Sequence, residues 1–209
     1  IVVPNGLPDM RGSVPEITAA PGTPLTILFC GVLIPSKGVG VLLNAFQRIV
    51  SQGANVRLEL MGKWGDPTFQ HDIGTFVEDH GLGDRVRFLG VKRDQEKWAH
   101  FAGCDIFCFP SYFEAESFGL VLAEAMQFAK PVVTTDWRGI PSVAEDGVNG
   151  FTVPIKDPGA VADKLMRLVN DPGLRQRMGL EGRRIFEERF TLERFRRNME
   201  NALASVHEK

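Results

Sequence analysis

Three side chains in this sequence have the type and placement to hold an anionic ligand rich in hydroxyl groups: Lys37, Glu116 and Glu124. Lys37 stands in GVLIPSKGVG, where Ser36 is placed to cap a helix and the lysine would fall in its first turn. A cation at the positive end of a helix dipole is unfavourable by a few tenths to about 1 kcal/mol. A bound phosphate reverses that sign and uses the free N–H groups as well. Taken alone, a solvated lysine on a surface helix explains the residue equally well.

Glu116 and Glu124 both lie in PSYFEAESFGLVLAEAM. From Phe118 to Ala129 every residue is apolar or glycine except Glu124 and Gln127, so little of a helix there escapes burial. Carboxylates seldom enter such surroundings without partners. Either Glu124 and Gln127, three residues apart, share a thin exposed strip, or Glu124 sits at a cleft edge and accepts hydrogen bonds from vicinal hydroxyls, as acidic residues do for ribose. Ser117 is placed to cap the helix, leaving the N–H groups of Phe118, Gly119 and Leu120 free, and Gly119 lets a ligand approach the backbone. Glu116 would stand at the mouth of the same site. Glu114 is a loop carboxylate without defined geometry.

These residues must be positioned by the surrounding elements. From residue 24, short apolar runs alternate with helical stretches: LTILFCG before VGVLLNAFQRIV, VRLELMG before PTFQHDIGTFVEDHG, VRFLG before DQEKWAHFAG, DIFCFP before FGLVLAEAMQFA, then KPVVTTD and GFTVP. Continuously apolar strands alternating with helices predict an α/β, Rossmann-like architecture: a parallel sheet with helices on both faces. From Pro158 onward the pattern predicts two or three helices, one of them the amphipathic LERFRRNMENALASV. Residues 1–23, rich in Pro, Gly and Ala, read as an extended lead-in or interdomain linker before a single domain over 24–209. The start, IVVPNG, reads as cut from a longer protein. In open parallel sheets ligands bind at the carboxyl ends of strands, which is where the loops carrying Lys37 and Glu116 fall. Neither loop has GxGxxG or GxxxxGK[ST], which excludes a dinucleotide fingerprint and a Walker A loop.

Composition removes other classes. With 24 Lys and Arg against 26 Asp and Glu, there is no basic excess for nucleic-acid binding. No apolar stretch approaches the roughly 18 residues of a membrane span, which favours a soluble, cytoplasmic chain. Cys30, Cys104 and Cys108 fall in apolar segments and read as buried thiols, the last two on one face of a strand. His71, His80, His100 and His207 are scattered and read as surface positions; no metal-ligand spacing occurs, so no metal site is expected.

With these motifs in hand, the chain resembles the C-terminal, donor-binding domain of the group 1 (family 4) glycosyltransferases, enzymes of two Rossmann-like domains in the type B glycosyltransferase fold. The resemblance rests on Glu116 and Glu124 within PSYFEAESFGLVLAEAM, followed in order by KPVVTTDWRGIPSVAEDGVNGFTVP, with support from VVPNG, GVLIPSKGVGVLLNAF, LELMGKWG, VRFLGV and DIFCFPS. It implies that Lys37 contacts the diphosphate of a nucleotide-diphosphate sugar, Glu116 the hydroxyls of the transferred sugar and Glu124 the ribose. Lys37 and Glu116 would be the catalytic pair. The backbone of Phe118, Gly119 and Leu120 would meet phosphate and sugar, with Gly31 and Ser117 beside them and the base near Gly90, Val91 and Ser111. It further implies metal-independent transfer of a hexosyl group to an acceptor hydroxyl with retention of anomeric configuration. The leaving diphosphate would then be stabilised by cations and helix amides alone.

The chain departs from the family pattern at three points. Where an arginine often follows Gly31 there is Val32, so Arg93 or Arg138 would have to compensate or the donor binds more weakly. Ala129 and Arg138 stand where glycines are common. The N-terminal acceptor domain, with its usual cleft histidine and any peripheral membrane contact, lies outside this chain. An isolated donor domain is expected to bind but hardly turn over, because orienting donor and acceptor takes both cleft walls. A nucleotide-binding or regulatory module that has lost catalysis is the alternative, hinted at by Val32. A nucleotide-sugar epimerase on the same two-domain fold is disfavoured by the spacing of the two glutamates.

Overall fold

The six apolar runs become six strands: β1 (Leu25–Cys30), β2 (Val56–Met61), β3 (Val86–Gly90), β4 (Ile106–Phe109), β5 (Val132–Thr135) and β6 (Gly150–Val153). In the computed structural model, which describes residues 2–15 and 22–207, they form one sheet in the order β3-β2-β1-β4-β5-β6. All five neighbouring pairs are parallel. The order runs outward from β1 through β2 to β3, returns across the sheet to β4 and then continues to β6. Its reversal between β1 and β4 is the crevice at which ligands bind in this architecture.

Parallel strands need crossovers, and the sequence supplies helices between them. These are α1 (Val39–Ser51), α2 (Pro67–Asp79), α3 (Asp94–Gly103) and α4 (Leu120–Gln127). After β6 come α5 (Pro158–Asn170), α6 (Pro172–Arg189) and α7 (Leu192–His207), so the C-terminal part has three helices. Asp66, Asp157 and Asp171 cap α2, α5 and α6, each carboxylate accepting from first-turn amides ahead of a proline at the helix start. Helix α1 packs against α5, and α4 against α6. Helix α3 joins α4 through stacked Trp98 and Phe128 rings. The core between sheet and helices is apolar throughout, with Phe29, Phe46, Phe101, Phe107 and Phe186 fully buried. Each such side chain stabilises the fold by about 1.5–3 kcal/mol through burial.

Two strands depart from the expected continuous apolarity. Strand β2 carries Arg57 and Glu59 on one face; Arg57 Nε donates to Thr26 Oγ1 at 2.7 Å, and Glu59 Oε2 lies 2.8 Å from His100 Nδ1. His100 is thus a partly buried partner of a buried carboxylate, whereas His71 and His80 are exposed as expected; the His207 side chain lies outside the described residues. Strand β3 forms the sheet edge, which exposes Arg87 and Phe88. Cys104 ends α3 and does not share a strand with Cys108; both thiols are buried and free.

The lead-in is tied to the C-terminal helices. The Leu7 amide donates to the Phe190 carbonyl at 2.8 Å, and the Leu192 amide to that of Leu7 at 2.9 Å. Arg183 Nη1 donates to Asp9 Oδ1 at 2.8 Å, and the Met10 amide to Gln127 Oε1 at 2.7 Å. Residues 1 and 16–21 of the expected lead-in lie outside the described residues.

Candidate functional site

Two loops meet at the carboxyl ends of β1 and β4. The first leaves β1 at Gly31, whose amide donates to the Met61 carbonyl at 2.9 Å, and tightens into a single 3-10 turn, Pro35–Lys37. Gly38 follows at φ 83, and α1 begins only at Val39. Lys37 therefore precedes the helix and is not in its first turn, and Ser36 caps nothing with its side chain. The cause is Gly38, whose left-handed backbone breaks the helix back to this point; a Cβ here would also collide with the Pro110 carbonyl. The Ser36 carbonyl instead accepts from the Tyr112 amide at 2.8 Å, which fastens the first loop to the second.

The second loop runs from Pro110 to Gly119. Ser117 was expected to cap the next helix; it is exposed and makes no capping bond, and the helix starts at Leu120 behind Gly119 at φ 74. The amide end of α4 thus has no side-chain cap, a state that suits an anion. Within the loop the Trp137 Nε1 donates to the Phe113 carbonyl at 3.0 Å, and the Gly139 amide to that of Glu116 at 3.3 Å.

Lys37 Nζ and Glu116 Oε2 are 2.7 Å apart, with the lysine and glutamate side chains 16% and 11% exposed. Ser111 Oγ donates to the same Glu116 oxygen at 3.2 Å, and Lys37 Nζ stands 4.3 Å from the centre of the Phe113 ring. Glu124 pairs with Lys97 Nζ of α3 at 2.6 Å through Oε1. Its Oε2 is buried without a hydrogen-bond partner. Burial pushes the Glu124 carboxyl above its ordinary value, and Lys97 opposes the shift. The Cys30 thiol at the end of β1 is pushed up to about 12, first by burial and then by the charge of Glu124. It is therefore protonated beside that carboxylate. The alternative of a shared exposed strip does not hold: Gln127 is fully buried, its Oε1 taken by the Met10 amide.

A cleft of about 260 Å³ opens at this point, lined by Gly31, Val32, Lys37, Glu116, the stretch Ser117–Val121, Cys30, Phe109 and Asn5. Of the predicted residues it brings together Gly31, Lys37, Glu116, Ser117, Phe118, Gly119 and Leu120. Glu124 stands one turn further along α4 and is not among the residues that line the cleft. Ser111 is fully buried beneath Glu116. It is not beside Gly90 and Val91: β3 lies three strand steps from β4, roughly 14 Å across the sheet. Val91 lines a separate shallow hollow with Arg93 and Asp94. Neither Arg93 nor Arg138 reaches the cleft, and the Arg138 guanidinium packs over Trp137, 5.1 Å from its ring centre. Among the described residues lining the cleft, Lys37 is the only cation.

Three neighbours of the site with polar or titratable side chains were not proposed as site residues from sequence: Asn5, Cys30 and Lys97. Asn5 sits in the turn-like PNG and Cys30 at a strand end, positions that could have drawn notice. Lys97, one charge among several in DQEKWAH, gives no local signal. Among the described residues no group of three or more His, Cys, Asp or Glu is placed to hold a metal ion, and no helix is long and apolar enough to cross a membrane.

The doubly wound parallel sheet, with a lysine–glutamate pair at its switch point, defines a Rossmann-like α/β domain. Residues 11–185 match the glycosyl transferases group 1 family, and the chain belongs to that family. It is 35% identical over 179 residues to the phosphatidyl-myo-inositol mannosyltransferase of Mycobacterium leprae, a match covering 85% of this chain and 46% of that protein. Anabaena HepE, solved in complex with UDP, superposes with a TM-score of 0.80 at 26% identity, covering 88% of this chain and 49% of the other. The C-terminal domain of a group 1 family glycosyl transferase (LpcC) from Francisella tularensis has a TM-score of 0.74 at 22% identity, covering 91% of this chain and 96% of that one, and shows the shared fold. The chain thus spans about half the length of the curated relatives it matches.

Proposed function

We propose that this chain is the donor-binding domain, over residues 24–209, of a retaining glycosyltransferase that transfers a hexosyl group from a nucleotide-diphosphate sugar to an acceptor hydroxyl. The observation that carries the reading is the convergence of Lys37, Glu116 and the uncapped start of α4 on one cleft at the sheet's switch point. The diphosphate is assigned to Lys37 and the amides of α4, where a cation and a helix dipole both favour negative charge. Glu116 is assigned to the hydroxyls of the transferred sugar, and Glu124 to the ribose. A carboxylate facing a diphosphate would repel it, whereas one facing hydroxyls accepts hydrogen bonds. As the donor leaves, charge builds on the diphosphate, and Lys37 with the helix amides is placed to stabilise it. This assignment needs no metal ion, so binding is expected to survive chelation. The names of the relatives, a mannosyltransferase and a protein crystallised with UDP, support a hexose donor without choosing its base.

Acceptor contacts, and with them turnover, are assigned to an N-terminal domain outside this chain. One observation favours a second reading, a nucleotide-binding or regulatory module without transfer: Lys37 is the sole cleft cation among the described residues and is already paired with Glu116. Calorimetric titration with UDP-glucose, GDP-mannose and the bare nucleotides, with Lys37→Ala and Glu124→Ala alongside, tests the proposal. Sugar nucleotides that bind and are weakened by both substitutions support it. Bare nucleotides bound as tightly as their sugar conjugates favour the module, and no binding at millimolar concentration overturns the donor reading.

A further inference from the structure

The orphaned oxygen of Glu124 limits how a ligand can use this carboxylate. Oε2 has essentially no exposed surface and no partner, so an incoming hydroxyl reaches Glu124 only at Oε1. That oxygen is already held by Lys97 Nζ at 2.6 Å. Any hydroxyl donating to Oε1 therefore arrives beside an ammonium with three N–H donors, one of them directed at Oε1. The lysine is no freely moving surface chain: Nζ stands 4.6 Å from the centre of the Trp98 ring and 5.7 Å from that of Phe101, and the side chain is 21% exposed.

We propose that Lys97 is a second ribose-recognition residue: its ammonium stays on Glu124 and donates to the neighbouring hydroxyl, so that a lysine–glutamate unit reads the vicinal diol with one acceptor and one donor. The inference rests on the donor reading given above. The groups that face Glu124 are Lys97 from α3 and the protonated Cys30 thiol from β1. Removing the ammonium leaves the desolvation of Glu124 unopposed, and the carboxyl then takes up its proton at a higher pH than in the wild type.

The test is calorimetric titration of the wild-type chain, Lys97→Met, Lys97→Arg and Glu124→Gln with UDP and GDP and with their 2′,3′-dideoxy counterparts, from mildly acidic to mildly alkaline pH. The wild type should prefer a ribonucleotide over its dideoxy form by about tenfold or more, the loss expected when buried hydrogen-bonding groups lose their partners. Lys97→Met should shrink that preference to within about threefold, leave the dideoxy affinity unchanged and weaken further as pH falls, while Lys97→Arg keeps most of it. Should Lys97→Met fail to fold, Lys97→Gln, which keeps a polar chain without the charge, gives the same measurement. A Lys97→Met or Lys97→Gln chain that retains the wild-type preference at every pH overturns the proposal, and if Glu124→Gln meanwhile abolishes the preference, the donor reading stands without it. A wild type that binds ribose and dideoxy forms equally, or binds neither nucleotide, overturns the ribose assignment of Glu124 and this inference with it.

Discussion

Lys37–Glu116 and Lys97–Glu124 are ion pairs of nearly equal length, 2.7 and 2.6 Å, and of similar burial, yet they stand on different supports. The first joins two loops: Lys37 ends a 3-10 turn, and Glu116 sits in the irregular stretch after β4. Its one engaged carboxylate oxygen accepts from two donors, Lys37 and Ser111. The second joins the interiors of α3 and α4 and leaves Glu124 Oε2 buried and unpaired. An unsatisfied buried acceptor costs about 1–3 kcal/mol, more when charged. The contrast separates two tasks. A pair on loops can open, so that Lys37 exchanges a carboxylate for a phosphate; a pair on helices keeps its geometry while a ligand comes to it.

The largest effect should come from the pivot of the loop pair. Gly38→Ala places a left-handed alanine against the Pro110 carbonyl and should lower unfolding stability by about 2–4 kcal/mol. Chemical denaturation measures this, and a variant as stable as the wild type would show that the Lys37 turn is not clamped to the second loop. Next in size is Lys37→Met. It should weaken binding of nucleoside diphosphates by about 100-fold, a charge-assisted contact of 2–3 kcal/mol, while leaving the binding of the uncharged nucleosides alone. Lys97→Met should instead weaken nucleosides and nucleoside diphosphates alike, because both ligand sets carry the ribose and Lys97 does not touch the phosphates. Equal losses from the two lysines on both ligand sets would erase the distinction between the pairs.

The sequence showed some parts of this arrangement more clearly than others. Periodicity placed the sheet, the crossovers and the C-terminal helices, because apolar runs of strand length next to helical stretches have few other solutions. The helix starts were misread at Ser36 and Ser117 for a shared reason: in each loop a glycine, Gly38 or Gly119, takes the left-handed conformation and restarts the backbone after the serine, and side-chain capping preferences do not register that. One of the two readings open from sequence makes Gln127 a surface partner of Glu124, and only the return of the lead-in over α4, with the Met10 amide reaching Gln127, makes it a buried residue. Long-range contacts of that kind leave no local trace. The same holds for Lys97, whose meaning comes entirely from a carboxylate on another helix. Glu124 itself was legible, since a single charge in an apolar run is a conflict that local rules cannot resolve.

The smallest predicted effect concerns pH and sets Glu124 against Glu59, the two carboxylates that α3 faces with Lys97 and His100. Glu59 is held below its ordinary value of 4.5, first by the hydrogen bond from His100, whereas burial raises Glu124 above the same value. The signs are opposite. Between 4.5 and its raised folded value, Glu124 binds more protons in the folded state than in the unfolded one, so its contribution to stability falls as pH rises through that window. Glu59 binds fewer protons when folded, so it stabilises above 4.5 and loses that contribution as pH falls toward its lowered folded value. Unfolding free energies measured across mildly acidic pH should therefore shift in favour of Glu124→Gln, relative to wild type, as pH climbs. For Glu59→Gln the deficit should be fully developed at neutral pH and shrink as the solution is acidified. Parallel pH profiles for the two variants would mean that the helical lysine satisfies its glutamate as fully as the histidine satisfies its own, and the orphaned oxygen would lose its role in setting the second pair apart.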